Sequence, residues 1–164
     1  MVTFSRATFG DIPTLQQLAH TIWHSHYPGI ISVEQIEYML EMMYSANVIH
    51  NEITSGHNWI LLKLELQPIG LASYHLEKEK ERVKLNKLYV LPVYHGKGFG
   101  QKALKYIADC SRQLNAKILY LTVNKNNTKA INAYYRAGFY LESEVVNDIG
   151  NGYVMDDFVL AYKL

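Results

Sequence analysis

Apolar positions along this chain recur at two spacings, and the changes between them mark out its elements. Val2 to Arg6 reads as a short strand. Leu15, Leu18, Ala19 and Ile22 then fall on one face at helical spacing, with Asp11 placed to cap that helix and Pro13 in its first turn. His24 to Ile31 is predicted as a loop carrying Tyr27, Pro28 and Gly29. Ser32 and Gln35 form a capping box ahead of the stripe Ile36, Met39, Leu40 and Met43, and Asn47 to Ile53 is a further helical piece. Trp59 to Leu62 and Pro68 to Leu76 read as strands joined near Leu66-Gln67. Glu77 to Arg82 alternates charge as a solvated hairpin turn, and Val83 to Val90 is the next strand. Ala103, Leu104, Ile107, Ala108, Ser111 and Leu114 mark a helix face, and Ile118 to Val123 a strand. Thr128 to Ala137 is a helix closed by Gly138. Phe139 to Val146 and Tyr153 to Tyr162 form a closing hairpin that turns near Gly150-Asn151-Gly152. This order of elements is that of an α/β sandwich with a mixed central sheet.

Composition narrows the setting. At 164 residues, 49% of them hydrophobic, the chain suits one domain over 1–164 with a real core. A net charge of +1 implies no broad basic surface and gives nucleic-acid binding no support. The single cysteine, Cys110, excludes an internal disulfide and fits a reducing compartment. Met1 to Arg6 is not a signal peptide, and no apolar run approaches membrane-spanning length. The expected setting is therefore cytoplasmic, with no membrane partner. Thirteen tyrosines suggest a site with aromatic walls.

The chemistry concentrates in His95-Gly96-Lys97-Gly98-Phe99-Gly100-Gln101, which follows the strand end Leu88-Tyr89-Val90 and opens a helix. A helix N-terminus presents unpaired N–H groups and a positive dipole end, a natural seat for phosphate. Glycines let a ligand approach the backbone. The loop is not a dinucleotide fingerprint, because Gln101 stands where the third glycine belongs. It is not a mononucleotide loop either, because no Gly-Lys-Ser/Thr ending is present. Taken alone, the loop is also readable as a glycine-rich turn without a ligand.

A second motif follows, in which Asn127, Ala130, Tyr134, Gly138 and Phe139 are set in Asn-x-x-Ala-x-x-x-Tyr-x-x-x-Gly-Phe. With the glycine loop it resembles the GCN5-related N-acetyltransferase (GNAT) superfamily, although His95 replaces the usual Gln or Arg. Arg6, Asp11, Ile12, Pro13 and Leu15 also resemble that family's opening strand and helix. The resemblance implies an α/β/α sandwich whose mostly antiparallel sheet splays at a cofactor cleft. It implies direct acetyl transfer from acetyl-coenzyme A (acetyl-CoA), as co-substrate, to an amine. The amides of Gly96 to Gln101 would hold the pyrophosphate, with Lys97 adding charge or turning to water. The pantetheine arm would lie along Leu88, Tyr89 and Val90, and a backbone N–H near Val90 would stabilise the oxyanion. Tyr134 takes the place of the family's general acid; otherwise it is a core tyrosine. Asn127 would cap its helix, bond the cofactor arm, or both, and Asn124 could serve either role.

The general base is the gap. Many relatives carry a Glu where Lys84 stands. Glu77 and Glu79 fall on the solvated turn, so deprotonation through ordered water comes first, then His24 or His26. Trp23, His24, His26, Tyr27 and Tyr153 are candidate walls of the acceptor pocket, against a reading of Trp23 as core and the histidines as surface. Glu34, Asp148, Asp156 and Asp157 could attract a cationic amine. The layout is most similar to small-amine or polyamine N-acetyltransferases, so a small-molecule amine is the expected partner and a homodimer is left open. A peptide N-acetyltransferase and a non-catalytic acyl-CoA sensor are the alternatives. His20 and His24 stand i, i+4 on a helix but show no third ligand, so no metal is expected. Cys110 is read as packing.

Overall fold

The computed structural model describes residues 1–164. Seven strands form one sheet in the order β1-β2-β3-β4-β5-β7-β6. They are β1 (Val2–Arg6), β2 (Asn58–Leu64), β3 (Gln67–Glu77), β4 (Arg82–Val90), β5 (Ile118–Asn124), β6 (Tyr140–Gly150) and β7 (Tyr153–Lys163). Every neighbouring pair is antiparallel except β4 and β5. The sheet is packed on both faces. Trp59-Ile60-Leu61-Leu62 shows why the strands read as unbroken apolar runs: Trp59 and Leu61 belong to one core cluster, and Ile60 and Leu62 to the other. Three helices, α1 (Ile12–His26), α2 (Val33–Tyr44) and α3 (Ala46–Thr54), cover the first face. Two more, α4 (Phe99–Gln113) and α5 (Thr128–Arg136), cover the second. This is the α/β/α arrangement that the family resemblance implied, and it contains the mixed central sheet read from the order of elements.

Of the α4 stripe predicted from the sequence, Ala103, Leu104, Ile107, Ala108 and Ser111 are buried, while Leu114 is the residue after the helix and 39% exposed. Ile107 is 0% exposed at the centre of its cluster. Ile107→Ala should lower unfolding stability by about 2–5 kcal/mol, since a buried truncation loses transfer energy and leaves a cavity. Urea denaturation checks this.

Two local expectations change. Asp11 does not cap α1 with its side chain; its carboxylate accepts from the Thr8 N–H at 2.8 Å and the Thr8 hydroxyl at 3.1 Å, closing the preceding 3₁₀ turn. And α1 runs two residues past His24, so His24 and His26 sit on its last turn and not in a loop.

The feature that positions the site lies between β4 and β5. Their ladder pairs only Arg82–Lys84 with Ile118–Tyr120. Beyond Lys84 the two strands part, as expected, and leave an open edge on each.

Candidate functional site

The parted strands open a cleft of about 610 Å³, within the usual range for a small-molecule site. One side is backbone. The Leu91 N–H donates to the Ile69 carbonyl at 2.8 Å, which fixes the alternation along this antiparallel pair. Val90 and Leu88 stand opposite Gly70 and Ala72 at the alternate positions, so their N–H and C=O groups point away from β3 into the gap. An extended ligand can pair there as a strand would.

Next to this edge lies the glycine loop. Gly98 precedes α4 in the left-handed region at φ 79, Gly96 at φ 75, and no side chain caps the helix. The N–H groups from Gly96 to Gln101 donate to no acceptor within the chain. A Cβ added at Gly96, Gly98 or Gly100 would meet nothing within 4 Å beyond the adjoining chain. Free donors facing open space at a helix start make a phosphate cradle.

His95 is held by its partners. The Val90 carbonyl can only accept, so His95 Nε2 donates to it at 2.7 Å. Nδ1 is thereby left to accept from the Lys129 ammonium at 3.3 Å. Lys97 leans over the Tyr94 ring, 5.5 Å from its centroid, and is not among the cleft residues. Phe99 and Gln101 line the cleft, and Gln101 Nε2 donates to the Ala133 carbonyl at 3.1 Å, tying α4 to α5.

The far wall comes from β5 and α5. Asn124 accepts from the Asn126 N–H at 2.9 Å in a tight turn. Asn127 is buried and accepts from the Ala130 N–H at 3.4 Å, so it is the α5 cap. Tyr134 lines the cleft one helical step from the exposed Tyr135. Its hydroxyl has no hydrogen-bond partner in the chain, and burial raises the phenol to about 12.

The opposite end is aromatic and sulfur-rich: Trp23, Tyr27, Tyr89, Met39, Met43 and Met155. Trp23 is both core and wall, 2% exposed and donating to the Tyr44 hydroxyl at 3.3 Å. The Tyr27 and Tyr89 hydroxyls share a 2.9 Å hydrogen bond, and burial pushes both phenols well up. Asp157 on β7 is the one carboxylate among the lining residues. It is 4% exposed, and burial raises it to about 6.

Several sequence candidates stand elsewhere. His24 is not in the cleft; its Nε2 lies 2.6 Å from Glu37 Oε1. That contact supplies the third ligand-type group missing from the sequence reading, with His20, His24 and Glu37 ligand atoms within 4.8 Å of one another at the surface. Tyr153 packs on Tyr38, ring centroids 5.4 Å apart, on the hairpin that α2 holds through the Tyr38 hydroxyl donating to the Ile149 carbonyl at 2.7 Å. Lys84 and Glu77 lie outside the cleft. His26 is inside it, with burial lowering its pKa and the Asn127 side chain partly offsetting this. Lys87, a buried cleft residue with its ammonium 4.8 Å from the Trp59 ring centroid, was not picked out from the sequence. It stands opposite Ser73, where a bulge shifts the β3–β4 register.

The Acetyltransferase (GNAT) family model matches residues 15–139. Spermidine N(1)-acetyltransferase of Thermoplasma acidophilum is 25% identical over 144 residues, covering 86% of this chain and 89% of that protein. Spermine/spermidine N(1)-acetyltransferase of Bacillus subtilis is 34% identical over 84 residues, 47% of this chain and 55% of its own length. A solved PaiA N-acetyltransferase of Thermoplasma acidophilum, in complex with coenzyme A, superposes at TM-score 0.87 over 100% of this chain and 99% of that one, at 23% identity. Its likeness is one of fold.

Proposed function

From the premise that this chain belongs to the acetyltransferase (GNAT) family and is an acetyl-CoA-dependent N-acetyltransferase, we propose that its acceptor is the primary amine of a small, polyamine-like molecule. The observation that carries this is the shape of the cleft. Free amides and a strand edge open except at the Val90 carbonyl, which His95 holds, occupy one end, an unbonded phenol the middle, and an aromatic pocket with a single carboxylate the other. An ammonium fits beside a carboxylate and against aromatic faces. The polyamine acetyltransferases among its relatives support the same acceptor class.

Acetyl-CoA supplies a thioester carbonyl open to attack and a thiol leaving group. In this reading the amides of Gly96 to Gln101 hold its pyrophosphate, and Leu88, Tyr89 and Val90 hold the extended arm, with Asn124 and Asn127 on the facing side. The Val90 N–H stabilises the oxyanion, a contribution typically worth about 3 kcal/mol in the transition state. Tyr134 donates to the departing sulfur. Trp23 and Tyr27 wall the acceptor. A homodimer, left open by the resemblance, is tested by sedimentation velocity.

The test of the acceptor class is thiol release with a panel of polyamines, monoamines, amino acids, aminoglycosides and peptides, after calorimetry has established acetyl-CoA binding. Turnover is expected for small amines, with polyamines foremost. Turnover confined to peptides would replace the acceptor class, and binding without turnover on any amine would favour an acyl-CoA sensor.

A further inference from the structure

Asp157 is the one carboxylate that lines the cleft, and it is 4% exposed. We propose that the Asp157 carboxylate both anchors the acceptor ammonium and accepts its proton, acting as the general base; this rests on the small-amine reading above.

The sequence offers no base at the expected strand position, where Lys84 stands. Of the imidazoles, ammonium groups and carboxylate that line the cleft, His95 has both ring nitrogens engaged by Val90 and Lys129, and Lys87 is turned toward Glu52 and the Trp59 ring, which leaves His26 and Asp157. His26 sits with the cofactor loop, among Asn127, His95 and Lys129. Asp157 sits with the acceptor walls instead, electrostatically coupled to the Tyr27 and Tyr89 phenols. It is opposite Asn124 at the end of β5, beyond the point where β4 and β5 have parted.

Its environment is that of a group awaiting a partner. The carboxylate makes no hydrogen bond in the chain, and Oδ1 is sealed from solvent and unpaired. A buried carboxylate with no hydrogen-bond partner is costly, and in a cleft it marks a functional-site candidate. The charged groups facing it do not satisfy it. Lys125, after β5, is bound to Asp156 at 2.8 Å and to Glu144 at 3.5 Å. Lys84 on β4 and Asp156 on β7 act only through space, in opposite senses. With burial and Asp156 raising it to about 6, the carboxylate is ionised at neutral pH yet basic enough to take a proton.

The step balances. One ammonium N–H bond breaks, its electron pair stays on nitrogen, and the proton passes to Oδ2, the oxygen that is not sealed. The freed pair forms the N–C bond to the thioester carbon. As the C–S bond breaks, its pair stays on sulfur, which takes the Tyr134 proton. The second nitrogen proton returns to the phenol, and Asp157 releases its own to water.

The test is the pH profile of kcat/KM for the best amine of the panel, in wild type and Asp157→Asn. The wild-type rate should rise through about pH 6 to a plateau. The variant should lose about a hundredfold or more at neutral pH and climb with pH without a plateau, following the neutral amine. Acetyl-CoA affinity by calorimetry should be unchanged, and the deficit should shrink for trifluoroethylamine, which is less protonated at the outset. A variant that keeps the wild-type rate and profile would overturn the assignment while leaving the acceptor class intact. Wild type inert toward every small amine would overturn both. If Asp157→Asn loses acetyl-CoA affinity, Asp157→Glu decides: a retained acidic limb supports the assignment, and its absence overturns it.

Discussion

Replacing Gly98 by valine should raise the Kd for acetyl-CoA by about a hundredfold or more. Gly98 is the residue before α4, at φ 79. A branched side chain there strains the backbone by about 1–2 kcal/mol and projects into space that no protein atom fills. That space is the approach to the free N–H groups from Gly96 to Gln101. A hydrogen bond to a charged group is worth about 1.5–3 kcal/mol. Two lost contacts therefore amount to about 3 kcal/mol, a factor of about a hundred. The fold should survive, because the site is at the surface and the strain is a small share of ordinary domain stability. Calorimetric titration reads the affinity and a thermal melt the fold. Retained affinity in a folded variant would show that the pyrophosphate sits elsewhere.

Tyr134→Phe should lower kcat about a hundredfold to a thousandfold, with acetyl-CoA affinity and stability little changed. The hydroxyl has no internal partner, so its removal leaves no buried group unpaired. Burial holds the phenol near 12, so it is protonated across the working range. A thiol of ordinary pKa, about 8.5, is a stronger acid than this phenol, which makes full proton transfer to sulfur uphill by itself. Tyr134 must therefore act as a hydrogen-bond donor while charge gathers on sulfur, completing the transfer as the nitrogen's second proton returns to it. Single-turnover kinetics separates this loss from binding. An unchanged rate would remove Tyr134 from the mechanism.

The placement of both residues was legible in the sequence because it is set locally. A glycine loop after an apolar strand needs only a few consecutive residues to declare itself, and the Asn127 turn sets Tyr134 on the inner face of α5 at fixed helical spacing. The acceptor side was less legible. The turn residues Pro28 and Gly29 suggest a loop from His24, yet nothing before Pro28 breaks the helix, so α1 continues and turns His24 toward Glu37. Asp156 and Asp157 are adjacent on one strand, and a one-residue change of register exchanges their faces. The pairing of β5 with β7 decides it: Asp157 goes inward, and Asp156 goes out to Lys125. Tyr153 depends on the same long hairpin, and its tip is carried to Tyr38 on α2, away from the cleft. The parting of β4 and β5, by contrast, followed from the family resemblance, and the short parallel ladder bears it out.

The most direct test of the account is a crystal structure of the chain with coenzyme A. The pyrophosphate is expected within hydrogen-bonding distance of the Gly96 to Gln101 amides, the pantetheine arm between β4 and β5, and the sulfur beside the Tyr134 hydroxyl. A coenzyme bound outside the gap between β4 and β5, or a sulfur beyond the reach of Tyr134, would contradict it.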